Sequence, residues 1–307
     1  MRQDVSGFRN KRKGKRILTI LALSALLTIF VVLSFLISRP RPSSYLVSQP
    51  VIQSRAEFYE ENNFGRAVEF ASQETLRSDI RAIIVSHHLL VSGYIAKLVK
   101  QASGRPIRTV VIIGPNHEDV GPTAIATARV TYKTANGAIR TDDAMTSRFL
   151  SDFDLRDNPS IFVKEHSVGA IVPLVQYYLP RAEVVPIVLS SSASLRDAEE
   201  LGDWLSANLD DQSLVIFSID FSHYLTEEVA HRNDEMTRRL IEARDLTAIS
   251  DLNDDYVDSP ATLMTALSYA EQKGLMTDIM ANSNSNDFAQ TKSGSTTSYF
   301  FVAFVDW

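Results

Sequence analysis

The stretch Val-Val-Ile-Ile-Gly-Pro-Asn-His, residues 110–117, decides how the rest of this chain is interpreted. Its four consecutive β-branched residues are typical of a buried strand, and the Gly-Pro pair ends that strand abruptly. A side chain just beyond the carboxyl end of a strand lies where open α/β sheets keep their ligand crevice. His117 is therefore a candidate for a chemical role.

Strand and helix patterns alternate on both sides of this stretch. Apolar or alternating runs predict strands at residues 82–86, 110–114, 124–133, 184–189, 214–219 and 299–305. Helical spacing predicts helices at residues 89–102, 165–178, 195–209, 227–244 and 259–274, the second of them bent or ended by Pro173. The alternation favours an α/β domain whose mainly parallel or mixed sheet carries helices on both faces.

The composition limits the chemistry that the domain can use. The chain has 307 residues, of which 45% are hydrophobic and 22% charged, so it can bury a large core. It contains no cysteine, which excludes disulfides, metal–thiolate sites and thiol nucleophiles.

The N-terminus predicts a membrane anchor. Residues 1–16 carry seven basic side chains and one acid, and residues 17–37 contain no charge over 21 residues. Such a run spans a hydrocarbon core of about 30 Å as a helix. The positive-inside rule then keeps the basic tail cytoplasmic and places the rest of the chain outside the cell membrane. A cleaved signal peptide is the alternative, but its apolar core is usually shorter and ends in an Ala-x-Ala-like site.

Beyond the anchor we predict a short stalk and one domain. Residues 38–54 are rich in proline and serine, as linkers are, and residues 55–307 show no second linker. After the basic tail the chain carries 24 basic and 36 acidic residues, a net charge of −12. A domain with this charge is not expected to bind nucleic acid nonspecifically.

Five of the six histidines gather where predicted strands end or a helix begins: His87, His88, His117, His166 and His223. Parallel strands end at one edge of a sheet, so these rings are expected to converge. With Asp220 they suit a metal site, because imidazole and carboxylate groups bind iron, zinc or copper. Asp220 and His223 could instead activate Ser259 as a nucleophile, although no Gly-x-Ser-x-Gly elbow is present. A binding site without turnover is the third alternative.

Four motifs in this order resemble the MEMO-like family, also called AmmeMemoRadiSam system protein B. They are Ile-Ile-Gly-Pro-Asn-His at 112–117, Glu-His-Ser-Val at 165–168, Val-Pro-Ile-Val at 185–188 and Ser-x-Asp-Phe-Ser-His-Tyr at 218–224. The similarity runs from about residue 82 to residue 304. It implies a fold similar to class III extradiol ring-cleavage dioxygenases, with a divalent metal, Fe(II), at the strand ends.

The resemblance also implies roles for single residues. His87 and His117 match metal-binding histidines, with His88 as a rival to His87 because the segment after the first strand is one residue shorter here. The family's cysteine ligand is replaced by Asp258 or Ser259, and a carboxylate in place of a thiolate favours Fe(II) or Mn over Cu(I).

The proton-transfer or orienting residues are expected to be Asp220, His223 and His166. The expected function is a membrane-anchored, metal-dependent oxidoreductase of the dioxygenase type that acts on a small molecule. A non-catalytic module that binds a ligand or a protein partner is the alternative.

Overall fold

The structure is a computed structural model, and it describes residues 51–53, 61–289 and 292–307. The predicted basic tail at 1–16, the predicted anchor at 17–37 and most of the predicted stalk at 38–54 lie outside these residues. Within the described ranges, no helix combines the length and the apolar composition needed to cross a bilayer. The last residues of the predicted stalk, Val51–Gln53, form a strand.

The described part of the chain alternates strands and helices. Its strands are β1 (Val51–Gln53), β2 (Ile80–Val85), β3 (Thr109–Pro115), β4 (Ile125–Thr127), β5 (Thr131–Thr134), β6 (Gly137–Arg140), β7 (Glu183–Leu189), β8 (Ser213–Ser218), β9 (Met276–Asn284) and β10 (Ser298–Val305). Its α-helices are α1 (Glu61–Phe70), α2 (Ser92–Ala102), α3 (Asp143–Asp152), α4 (His166–Gly169), α5 (Val172–Tyr178), α6 (Leu195–Asn208), α7 (Glu227–Ala243), α8 (Leu246–Ser250) and α9 (Pro260–Gln272).

The main sheet has seven strands in the order β4, β7, β3, β8, β2, β10, β9. The four central strands, β7, β3, β8 and β2, are parallel. The outer strands β4, β10 and β9 run antiparallel to their neighbours. The predicted α/β class is therefore confirmed, with a mixed sheet. A separate three-stranded sheet has the order β1, β5, β6.

Helices cover both faces of the main sheet, as predicted. Alternate residues of β3 point to opposite sides, because successive side chains in a strand do so. Val110 and Ile112 belong to the core on the side of α2 and α5. Val111 and Ile113 belong to the core on the side of α6 and α9. The strand is buried along its whole length, which explains its unbroken apolar sequence.

The register of the central strands determines where the functional side chains emerge. Ile113 of β3 lies beside Phe217 of β8, and Val85 of β2 lies beside Ser218 of the same strand. The carboxyl ends of the three strands are thus level, with β8 in the middle. Residues that follow these ends share one edge of the sheet.

The single strand predicted at residues 124–133 is wrong, because this segment serves two sheets. Thr127 ends β4 and pairs with Ile187 in the main sheet, whereas Thr131 begins β5 and pairs with Val51 and Arg140 in the small sheet. Between the two strands, Ala128 and Val130 are also buried and Arg129 is half-buried. Polar and apolar residues therefore alternate without interruption from β4 to β5, and the sequence pattern does not show where one strand ends and the next begins.

Packing between α6 and α9 depends on a glycine. A Cβ placed on Gly202 would lie 2.4 Å from the Ser268 Oγ atom and 3.0 Å from the Tyr269 amide nitrogen. The main chains of the two helices approach closely here. Gly65 on the exposed face of α1 has no atom within 4 Å of its hypothetical Cβ.

We predict that Gly202→Ala lowers the free energy of unfolding by about 1–3 kcal/mol, because overpacking costs more than the helix propensity of alanine returns. Gly65→Ala is the control, and we expect it to raise stability by about 0.5–1 kcal/mol. Urea unfolding of both variants measures the two effects. Equal stabilisation by the two alanines would contradict the close approach.

Candidate metal centre

His87 lies just beyond the carboxyl end of β2 and is almost completely buried. Its Nδ1 atom is 3.2 Å from the Ser218 hydroxyl, and its Nε2 atom is 3.3 Å from an Asp258 oxygen and 3.6 Å from an Asp220 oxygen. Burial lowers the pKa of His87 to about 4 in spite of the nearby Asp220 charge. The ring is therefore neutral near pH 7, which is the form that binds metal ions.

His117 follows the end of β3 and is held by Glu165. The His117 Nδ1 atom lies 2.8 Å from one carboxylate oxygen of Glu165, and the His117 backbone N–H donates to the other at 2.9 Å. The first oxygen also accepts from the Ser167 backbone N–H at 2.8 Å, which caps α4. One carboxylate thus fixes both the ring after β3 and the start of a helix.

The charge of Glu165 is well stabilised. Burial opposes its ionisation, but the hydrogen bond and charge of His117 and the backbone N–H groups of Ser167 and His117 outweigh burial. Together they lower the pKa of Glu165 to about 2.

His166 is the first residue of α4, and its ring stacks on that of His117. The two ring centroids are 3.9 Å apart, and the rings are inclined by 24°. The His87 ring stands nearly perpendicular to both, with centroid distances of 4.9 Å to His117 and 5.1 Å to His166. One ring nitrogen from each histidine lies within 4.8 Å of the other two. The three imidazoles thus form one cluster.

The place of α4 in this cluster is set by a glycine of the opening stretch. A Cβ on Gly114 would lie 2.6 Å from the Ser167 Cβ and 2.7 Å from its Oγ atom. The Ser167 hydroxyl also donates to the Pro115 carbonyl oxygen at 2.8 Å. The first turn of α4, with Glu165 and His166, therefore rests directly on the backbone of β3.

The donors of this cluster fit a transition-metal ion. Nitrogen ligands bind such an ion at about 2.1 Å, so a small inward rotation of the rings brings nitrogens spaced up to 4.8 Å into range. A carboxylate on the outer nitrogen of a metal-binding histidine, as Glu165 is on His117, is typical of these sites. Asp258 lies beside His87, and its Oδ1 atom is buried without a hydrogen-bond partner in the described structure. An ion bound at the cluster would give that oxygen a partner.

Comparison with known proteins assigns the chain to a family. A family profile described as Memo-like protein matches residues 58–301. This chain belongs to the Memo-like family. The match confirms the family that the four sequence motifs predicted.

Relatives of this Memo-like chain extend over most of the described domain. A MEMO1 family protein from Caldivirga maquilingensis is 30% identical over 208 residues, 64% of this chain and 73% of the relative. One from Sulfurisphaera tokodaii is 24% identical over 258 residues, 79% of this chain and 88% of the relative. The crystal structure of an uncharacterized protein from Escherichia coli K12 aligns with a TM-score of 0.47 and 13% identity, over 74% of this chain and 100% of the other.

Two buried carboxyl groups lie beside the imidazoles of this Memo-like site. Asp220 follows β8, and its backbone N–H donates to an Asp258 oxygen at 3.2 Å. Burial opposes ionisation of both carboxyl groups. In Asp258 the negative charge of Asp220 opposes ionisation further, so the pKa of Asp258 lies well above its usual range. For Asp220 the charge of His87, the Ser86 hydroxyl and His223 outweigh burial, and its pKa is lowered. The pair therefore binds its proton more readily on Asp258 than on Asp220.

His223 adjoins this pair from the loop after β8. Its backbone N–H donates to the Asp254 carbonyl oxygen at 3.2 Å, and its Nδ1 atom is buried without a partner in the described structure. Burial lowers the pKa of its ring, and the charges of Asp220 and Asp254 oppose this effect. The charge of Asp220 thus acts on His223, but the described cluster contains His87, His117 and His166 and not His223, so the predicted convergence of all five rings is only partly observed.

Two other predicted ligands are occupied elsewhere. The exposed His88 directs its Nδ1 atom to the Tyr299 hydroxyl at 2.5 Å, and His87 occupies the cluster. Ser259 caps α9, where its hydroxyl accepts from the Thr262 backbone N–H at 3.2 Å and lies 2.7 Å from the Thr262 hydroxyl. The structure brings Asp258, and not Ser259, to the imidazoles.

Sequence reasoning missed the part played by Glu165 and placed His166 among the proton-transfer residues. Both residues belong to the motif at 165–168. No strand directly precedes this motif, and the metal ligands were predicted from histidines that follow strands. The sequence did offer one indication, because an acidic residue directly before a helix can cap the helix and also bind a nearby imidazole. Its partner became visible only in the folded chain.

We predict that Glu165→Gln lowers the free energy of unfolding by about 1–3 kcal/mol near neutral pH, because a buried carboxylate loses charge-assisted hydrogen bonds. Stability from Glu165 ionisation is fully present above its unfolded pKa of 4.5 and is lost as the pH falls towards about 2. The difference between wild type and variant should therefore shrink below pH 4.5. Urea unfolding over this pH range measures it.

The matched control is Glu118→Gln, which removes the same charge from an exposed neighbour of His117. We expect this control to unfold like the wild type at every pH. A difference between wild type and Glu165→Gln that stays constant down to pH 3 would contradict the assignment of the low pKa to Glu165.

Proposed function

We propose that this Memo-like protein is a metal-dependent oxidoreductase that acts on a small molecule. In this proposal His87, His117 and His166 hold one divalent ion, and Asp258 adds a carboxylate oxygen. The observation that supports it is the placement of three imidazole nitrogens within 4.8 Å of one another at the carboxyl edge of the sheet. Ligand crevices of open α/β sheets occur at this edge.

The donor set favours iron over copper. It consists of imidazole nitrogen and carboxylate oxygen, and the chain has no cysteine to supply a thiolate. Nitrogen and oxygen donors suit Fe(II), whereas Cu(I) prefers sulfur. A bound Fe(II) ion would supply redox chemistry and Lewis acidity to a substrate beside it. We propose oxygen as the oxidant, because the family that the sequence motifs resemble implies a fold similar to ring-cleavage dioxygenases.

The remaining groups of the site would manage protons and orientation. Glu165 holds the His117 ring through Nδ1, so that Nε2 would be the nitrogen that binds the ion. Burial and the Asp220 charge raise the pKa of Asp258 and favour its protonated form, so binding of a cation by its oxygen would release a proton, since a carboxylate ligand must be deprotonated. Asp220, ionised beside His87, then serves with His223 to accept a proton from a bound substrate.

Metal analysis of the purified full chain tests the site itself. After loading with Fe(II) under nitrogen and desalting, we expect about one iron per wild-type chain and less than a tenth of that in a His87→Ala, His117→Ala double variant. His231→Ala is the control, because this histidine is exposed on α7 and lies outside the cluster. Equal iron in the double variant and the wild type would refute the proposed site.

Oxygen uptake distinguishes catalysis from binding alone. The iron-loaded chain is mixed with catechol and its substituted forms in an oxygen electrode, with the double variant as the blank. Uptake by the wild type alone supports an oxidoreductase. An iron-loaded protein that takes up no oxygen across the panel would favour the alternative, a module that binds a ligand or a protein partner.

We further propose that residues 17–37 anchor the protein in the cell membrane, with the basic tail at 1–16 in the cytoplasm and the site outside. Support comes from the 21 uncharged residues and the seven basic residues before them. In intact cells that express the chain with a C-terminal tag, added protease should remove the tag while a cytoplasmic marker survives. A tag that is lost only after lysis would contradict the outward orientation.

A further inference from the structure

His87 and His88 are neighbours in the sequence, but only one of them joins the imidazole cluster. His87 belongs to the cluster, whereas His88 is exposed and its Nδ1 atom lies 2.5 Å from the Tyr299 hydroxyl. The backbone of His88 is extended, with φ −78° and ψ 111°. Successive side chains of an extended chain point to opposite sides. The direction of the His88 ring is therefore tied to the direction of the His87 ring.

Tyr299 reaches His88 because an antiparallel strand begins where a parallel strand ends. Strand β10 pairs with β2 so that Val302 lies beside Ile84. Tyr299 precedes Val302 by three residues and His87 follows Ile84 by three, so the same register brings Tyr299 level with His87. Tyr299 is completely buried. Its hydroxyl is thus presented by a strand of the main sheet and not by a loop.

The Tyr299 hydroxyl is a suitable donor to His88. Burial and the charge of Asp220 raise the pKa of Tyr299, so the phenol keeps its proton. A neutral imidazole has one nitrogen with a free electron pair, and the hydrogen bond from Tyr299 occupies that pair on Nδ1 of His88. The ring proton is then on Nε2. Neither nitrogen of neutral His88 is open to an ion.

The backbone of His88 is held as well as its ring. Its N–H donates to the Ser86 hydroxyl at 2.8 Å, and that hydroxyl donates to Asp220. The His87 ring has a longer contact, 3.2 Å from its Nδ1 atom to the Ser218 hydroxyl. The short bond from Tyr299 therefore acts on the segment that carries His87 where the direct support of His87 is weaker.

We propose that Tyr299 is a positioning residue of the metal centre, which anchors the His88 ring away from the cluster and thereby fixes His87 as the histidine that faces the ion. The inference rests on the proposed function. Tyr299 acts through His88 and is not itself a ligand. A single hydroxyl then decides which of two adjacent histidines binds the metal.

Fe(II) affinity tests this role in the full chain in mild detergent, measured under nitrogen by competition with a chelator. Tyr299→Phe removes the donor, and His88→Ala removes the acceptor. We expect each change to weaken Fe(II) binding about 3- to 10-fold, because partners outside the ligand set orient the ligands. The double variant should bind no more weakly than either single variant, because both changes remove the same contact.

Two further variants separate this contact from general effects on folding. His88→Asn keeps a carbonyl acceptor close to the position of Nδ1, and we expect its Fe(II) affinity to stay within about twofold of the wild type. Tyr178→Phe is the matched control, because it removes a buried hydroxyl that has no hydrogen-bond partner in the described part of the chain. We expect this control to bind Fe(II) like the wild type.

The tautomer of His88 gives a readout that a change in stability alone does not move. Nitrogen NMR of isotopically labelled imidazoles in the metal-free chain, with the His88 signals assigned from His88→Ala, shows which nitrogen carries the proton. We expect neutral His88 to carry it on Nε2 in the wild type. In Tyr299→Phe the other tautomer should appear, because Nδ1 no longer accepts a hydrogen bond.

Four results would overturn the inference. They are wild-type Fe(II) affinity in Tyr299→Phe, losses that multiply in the double variant, an affinity of His88→Asn as low as that of His88→Ala, and an unchanged tautomer in Tyr299→Phe. Each of them leaves the metal site standing. A wild-type chain that holds no iron refutes the proposed function instead, and the ring spectra of the metal-free chain then decide whether Tyr299 controls His88.

Discussion

The level pairing of three parallel strands is the constraint on which the site depends. Strand β8 pairs with β3 on one side and with β2 on the other, and the hydrogen-bonded registers bring their carboxyl ends to one edge. His87, Asp220 and His117 each follow one of these ends. A shift of one residue in either pairing would move a side chain to the other face of the sheet. The buried apolar faces of the strands prevent that shift, so the core specifies the site.

The positions of two imidazoles also depend on one carboxylate. Glu165 receives hydrogen bonds from His117 and from the backbone of the helix that presents His166. It therefore couples two imidazoles that arise from separate parts of the chain. Beside His87 lie Asp220, whose pKa is lowered, and Asp258, whose pKa is raised. The histidines are thus framed by acidic groups on both sides, as a cation site requires.

Most of this frame could be predicted from the sequence because it rests on local patterns. Buried parallel strands have unbroken β-branched runs, as β3 does, and helix caps such as Asp142 and Ser259 have recognisable residues. Edge strand β9 was missed because its residues are mixed and only half-buried. The site was predicted where a histidine directly follows a strand. The pairing of Glu165 with His117 and the choice of His87 over His88 depend on side-chain directions, which a one-dimensional pattern does not contain.

The contact between Gly114 and Ser167 has a consequence for the choice of ion. The Ser167 side chain packs there directly on the backbone of Gly114, so the separation of β3 from the first turn of α4 is fixed by atomic radii. His117 follows β3 and His166 begins α4, so this contact also sets the distance between the two histidines. An ion of a different radius must be accommodated by rotation of the rings, because the backbone of β3 and the first turn of α4 are already in close contact.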